Sequence, residues 1–198
     1  MSELATLRTL TGMPDVPAPL GKSALVMVDL QNTYTRGVMR LDEVEPAIDA
    51  AAELLGRARA VGIPVVHIMH DAGEGSPYDV KAEIGQIVDR VAPQGDEPVI
   101  VKNYPNSFVA TDLDAQLKAL GVEDLVLAGF MTHVCINSTA RGAFSLGYRP
   151  TVVANATATR SLPGVAGEVD SSAIQAAGLA MIGDIFGIVV PDMSAIPD

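Results

Sequence analysis

The chain of 198 residues has a single cysteine, Cys135. It can form no internal disulfide and suits a reducing compartment. Three histidines beside one thiol are too few to support a zinc cluster. No apolar run reaches the length needed to span a bilayer. The N-terminus lacks the basic-then-apolar order of a secretion signal. Together these absences lead us to expect a cytoplasmic protein with no metal and no other cofactor. Basic residues are also scarce: 13 Lys and Arg against 24 Asp and Glu, a formal charge of −11. Nucleic acid and anionic membrane are therefore excluded as natural partners, and the charge reads as a solubility device. Aromatics are few, but 48% of residues are hydrophobic, enough for one domain with a large core.

Residues 1–22 read as an N-terminal extended arm, because Pro14, Pro17 and Pro19 oppose a regular helix. Residues 23–198 read as a single domain. Short apolar strands are expected at 24–28, 64–69, 98–101, 125–129, 150–154 and 185–190. Helices are expected at 46–61, 81–91, 112–120, 136–146 and 171–181. Pro46 opens the first helix and Gly62 stops it. Thr111 is positioned to cap the third. The strands are continuous apolar runs, which marks strands covered on both faces. The fold class is therefore α/β: a Rossmann-like, three-layer α/β/α sandwich with a mostly parallel six-stranded sheet. In such a sheet, functional groups gather beyond the carboxyl ends of the strands.

Three reactive side chains stand at such ends. Asp29 follows the first strand, Lys102 the third and Cys135 the fourth. A carboxylate can take a thiol proton, an ammonium can stabilise both anions, and a thiolate attacks an electrophilic carbon. A thiol at a strand-to-helix turn is also expected to have a lowered pKa from the helix dipole. His133, two residues before the thiol, is a second candidate base.

The combination Val28-Asp29-Leu30-Gln31-Asn32, Lys102 followed by Ser107-Phe108, and Gly129 through Cys135 leading to Ser138-Thr139-Ala140 resembles the isochorismatase-like cysteine hydrolase superfamily. The resemblance runs from Ala24 to Val190. It implies a catalytic triad of Asp29, Lys102 and Cys135, a non-proline cis peptide at Phe130-Met131, and an oxyanion hole made by the backbone N–H groups of Met131 and Cys135. It also implies a hydrolase of non-peptide C–N bonds in a small-molecule substrate, acting through a thioester, and a homo-oligomer. Two rival readings stand beside it: a vinyl-ether hydrolase of isochorismatase type, and a catalytically silent oligomeric scaffold or binding module.

Metal-binding nicotinamidases of that superfamily carry clustered histidines after the second strand. Here His67 and His70 fall on opposite faces of a strand, so they do not share an ion. His70 is expected to line the pocket and His67 to be packed. Gln31, Tyr34, Phe108 and His133 flank the triad and are the substrate-pocket candidates. The segment Gly73 to Asp79 reads either as a lid or as a simple connection.

Overall fold

The computed structural model describes residues 4–198. Its sheet has six strands, all parallel: β1 (Ser23–Val28), β2 (Val65–His70), β3 (Val99–Lys102), β4 (Asp124–Phe130), β5 (Arg149–Ala158) and, last in the chain, β8 (Ile188–Val190). The spatial order is β3-β2-β1-β4-β5-β8. A two-stranded hairpin, β6 (Leu162–Gly164) and β7 (Gly167–Val169), lies outside it.

Side chains along β1 alternate between two cores, as the period of two in a strand requires. Leu25 and Met27 face one core, built on Ala47, Ile48, Ala51, Leu54, Leu55 and Ala58 of the helix α2 (Val44–Val61). Ala24, Val26 and Val28 face the other. That core holds Leu113 and Leu117 of α3 (Leu113–Ala119) and Ala140 and Ala143 of α4 (Asn137–Ser145). The three-layer sandwich expected from the continuous apolar strands is the observed fold.

Some elements depart from expectation. Residues 81–91 do not form a helix. They make two short 3-10 turns, Glu83–Gly85 and Asp89–Val91. The cause is tertiary: a Cβ on Gly85 would lie 2.1 Å from the Asp79 carbonyl oxygen, and the Gln31 amide donates to the Gly85 carbonyl at 2.6 Å. These contacts override helical periodicity. In the N-terminal segment, Thr6 caps a one-turn helix, α1 (Leu7–Leu10). The Leu7 N–H donates to Asp184 at 2.8 Å, Arg8 to the Ile185 carbonyl at 3.2 Å, and Leu20 N–H to the Pro197 carbonyl at 2.7 Å. The described part of the arm is thus fastened to the chain's own C-terminal region. Thr111 Oγ1 donates to the Ser107 carbonyl at 2.6 Å and accepts from the Leu113 N–H, the first of α3, at 3.5 Å, while Asp112 at the N-cap position makes no side-chain cap. The last strand begins at Ile188, because α5 (Ser171–Met181) runs on into a wide turn, Ile182–Phe186.

Strand order reverses between β1 and β4, and ligands of open α/β sheets bind at such a switch point. Gly129 permits the close approach there. It has φ +125°, and a Cβ on it would lie 1.9 Å from the Val28 carbonyl oxygen. Replacing Gly129→Ala should therefore destabilise the protein by about 3 kcal/mol or more, since both backbone strain and a backbone clash are introduced. Urea denaturation reads this out; an unchanged midpoint would show that β1 and β4 have room to spare.

Candidate active site

Three strand ends converge at the switch point. Asp29 leaves β1 in the left-handed region, φ +50°, held by its N–H donating to the Ile68 carbonyl at 3.0 Å. Cys135 lies in a wide five-residue turn, Thr132–Ile136, that precedes α4. The turn closes on Met131, whose carbonyl accepts from the Val134 and Ile136 N–H groups at 3.0 and 3.2 Å. The Phe130-Met131 peptide is cis. Lys102 ends β3, two strands from β1. Strands lie about 4.8 Å apart, so only a long side chain can cross the end of β2 to reach β1. Lysine does so, passing His70, its register partner on β2.

The result is a buried cluster. Lys102 Nζ lies 2.7 Å from Asp29 Oδ2, 3.4 Å from Cys135 Sγ and 3.4 Å from His70 Nδ1. Neither charged side chain of the pair is solvent-exposed, and Cys135 is 5% exposed. Asp29 Oδ1 is buried and accepts no hydrogen bond. The Asp29 carboxyl also borders the thiol, and each group shifts the other. Burial raises the Asp29 pKa above its usual value, opposed by the Lys102 ammonium.

Burial also pushes the Cys135 thiol up, and the Asp29 charge pushes it further; Lys102 opposes both. This corrects the expectation of a lowered thiol pKa. The sulfur is deep in the switch point rather than on an exposed helix end, so desolvation outweighs the dipole. These shifts favour the protonated thiol.

Aromatic side chains wall the cluster. Tyr34, fully buried, meets Phe130 edge-on at 5.6 Å and Tyr78 at 5.8 Å between ring centroids. Tyr78 meets His70 edge-on at 5.1 Å. Tyr78 arrives on the 73–79 segment, which is tied down by Asp79 accepting from the Gly75 and Lys81 N–H groups at 2.9 Å each. The segment is thus a braced connection that carries a wall residue.

The other sequence candidates sort by geometry. Gln31 is fully buried and acts as a clamp: its amide bonds both backbone groups of His70, at 2.9 and 3.0 Å, as well as Gly85. Its side chain is spent on fixing the β2 end. Phe108 stacks on Tyr148 at 5.7 Å, against the α3 and α4 layer. Ser107 and Thr139 bond each other at 2.9 Å and tie the loop after Lys102 to α4. His133 Nδ1 pairs with Thr159 Oγ1 at 2.5 Å, not with the sulfur. Burial and the nearby Arg160 lower the His133 pKa. His67 is buried against Glu97, Nε2 to oxygen 2.9 Å, whereas His70 faces Lys102. Among the described residues, no group of three His, Cys, Asp or Glu side chains converges as a metal site.

Sequence reading missed Tyr78 and Arg160. A signal existed for Arg160, which follows the carboxyl end of β5. The strand was expected to end at 154 and runs to Ala158. Tyr78 lies in an irregular segment, where no periodicity points inward.

The electrostatics predict a slow thiol. Iodoacetamide alkylation of Cys135 should keep accelerating above the ordinary thiol pKa of 9.0. Asp29→Asn removes a charge that raises that pKa, so the variant should alkylate faster than wild type at neutral pH. A wild-type alkylation midpoint below 9.0 would contradict this account.

Comparison with known proteins agrees with the geometry. The isochorismatase domain family model matches residues 23–189. A secreted isochorismatase effector of Verticillium dahliae is 32% identical over 94% of this chain and 97% of its own length. Family membership is therefore compatible with export. A maleamate amidohydrolase of Pseudomonas putida is 34% identical over 67% of this chain and 70% of its own. The crystal structure of an isochorismatase from Pseudomonas putida superposes with a TM-score of 0.94 at 35% identity, covering 97% of this chain and 99% of that one. No helix is long and apolar enough to cross a membrane. The six-stranded fold, the acid, amine and thiol at its switch point, and these likenesses together place the chain in the isochorismatase family of hydrolases.

Proposed function

We propose that the protein is a cysteine-dependent hydrolase of non-peptide C–N bonds in a small molecule, with Asp29, Lys102 and Cys135 as its catalytic triad. The observation that carries this is the free oxygen of Asp29. Oδ2 is taken by Lys102, while Oδ1 is buried, unbonded and on a carboxyl group that borders the thiol. A buried acceptor without a donor is costly, and a thiol proton satisfies it.

In this reading Asp29 Oδ1 takes the proton from Cys135. The sulfur adds to the substrate carbonyl carbon. The oxyanion accepts from the backbone N–H groups of Met131 and Cys135, a contribution of about 2.7–4 kcal/mol for each donor of this kind. Asp29 returns the proton to the leaving nitrogen, and ammonia or an amine departs. Water then attacks the thioester carbon, gives its proton to Asp29, and the thiol is restored. Lys102 exchanges no proton in these steps and lies beside whichever anion exists, carboxylate or thiolate. The amidohydrolase among the relatives supports C–N over vinyl-ether cleavage. Homo-oligomerisation and a cytoplasmic location belong to the same reading. The first rests on family likeness, the second on the lone free thiol.

Asp29→Asn should lower amide hydrolysis by about 10²–10⁴-fold, the usual weight of a general base, even though its thiol alkylates faster. Cys135→Ala should abolish turnover. Intact-protein mass spectrometry of wild type with a slow amide should show one acyl adduct, absent in Cys135→Ala. A panel of amides with ammonia detection, run beside isochorismate with pyruvate detection, separates the two chemistries. Full activity of Cys135→Ala on any panel member would refute covalent catalysis.

A further inference from the structure

A cleft of about 440 Å³ lies between the N-terminal segment and the sheet, at the opposite end of the strands from the thiol. Asp124 and Arg149, the first residues of β4 and β5, line it. Cys135 stands beyond the other end of β4. A strand of seven residues, at about 3.3 Å each, separates the two places by about 20 Å.

Arg8 lines the cleft and is 8% exposed. Its guanidinium donates to two backbone carbonyls, that of Pro14 and, at 3.2 Å, that of Ile185. Its Nε is buried and has no acceptor. Arg36, Arg57, Arg59, Arg90 and Arg149 pair with carboxylates, whereas among the described residues Arg8 forms no ion pair. Asp184 accepts from the Leu7 N–H at 2.8 Å instead. A buried guanidinium with an unmet donor and no counter-charge costs free energy that an incoming anion returns.

The rest of the lining selects the ligand. Asp124 is closed to a cation, because Arg149 holds both its oxygens, at 2.8 and 2.7 Å. Lys22, also in the lining, is exposed and adds a second positive charge. An anion is therefore favoured. One open guanidinium donor suits a single carboxylate. A phosphate dianion would leave most of its oxygens facing apolar walls. Those walls include Val16, Phe144, Tyr148 and Ile188, which offer a hydrocarbon body contact away from water. The volume falls within the range of small-ligand sites.

We propose that this cleft is a second small-molecule site, separate from the reaction centre, that takes a monocarboxylate with an apolar body and seats its acid group on Arg8. Binding makes and breaks no covalent bond. Asp29, Lys102 and Cys135 take no part, so the site stands or falls independently of the hydrolase reading.

The test is calorimetric titration of the full-length protein with hexanoate, 1-hexanol, hexylammonium and acetate. Hexanoate should bind once per chain with a Kd of about 1 mM or below. Hexanol and acetate, which lack the charge or the body, should each bind at least about tenfold more weakly, and hexylammonium should give no saturable signal. Arg8→Met should remove the preference for the acid over the alcohol. Because Arg8→Met also unfastens the N-terminal segment, Ala18→Phe tests the site with Arg8 in place: Ala18 lines the cleft, and a ring there should abolish hexanoate binding. Acid preference that survives Arg8→Met, hexanoate binding that survives Ala18→Phe, or acetate binding as tightly as hexanoate would each overturn the proposal. A dimer by light scattering that Ala18→Phe dissociates, with no hexanoate bound to wild type, would overturn it too and assign the cleft to a second copy of the chain.

Discussion

The buried contact between Lys102 and Asp29 is the constraint on which the site depends. Two opposite charges, both out of water, lie 2.7 Å apart beside a sulfur. Such a pair is not retained for stability, because desolvating both ions costs about as much as their attraction returns. Breaking it by removing one partner is far worse than never having built it. In the proposed mechanism its use is chemical. The Lys102 ammonium opposes the burial that raises the Asp29 pKa, and one carboxylate oxygen is tethered while the other is free. It also keeps a positive charge where a thiolate will appear. In the proposed mechanism the raised thiol pKa is the counterpart of this arrangement: the sulfur stays neutral until a substrate carbonyl is present to accept its electrons.

The fold supplies the constraint through geometry that a parallel sheet makes easily. The reversal of strand order opens a crevice between β1 and β4. Gly129 lets the two strands approach, and the turn after Phe130 places the sulfur over the crevice. The amine must come from β3, across β2, and the reach of lysine decides which residue type can serve. Gln31 locks the β2 end on which that lysine side chain lies, so a residue that reads as a pocket contact is part of the frame instead.

The sheet was legible in the sequence because each strand contains a short apolar run, several of them preceded directly by proline or glycine. The convergence of Asp29, Lys102 and Cys135 was legible because all three fall at or just beyond strand ends, and the strand-end rule needs no side-chain geometry. What escaped was fixed by contacts distant in sequence. Residues 81–91 have helical spacing, yet Gly85 sits against Asp79 and under Gln31, and the helix does not form. Phe108 follows Lys102 closely but turns to Tyr148. The direction of the thiol shift was misread because a sequence shows the helix that follows a cysteine, not the depth at which it lies. The end of β5 was misplaced because the strand runs four residues beyond its apolar core, from 154 to Ala158.

The central claim is the electrostatic tie between Lys102 and the sulfur, and thiolate ultraviolet absorbance followed against pH measures it most directly. The account predicts that Lys102→Met moves the Cys135 titration upward from wild type, because a cation that favours the thiolate is gone. An unchanged midpoint in folded Lys102→Met protein would contradict it.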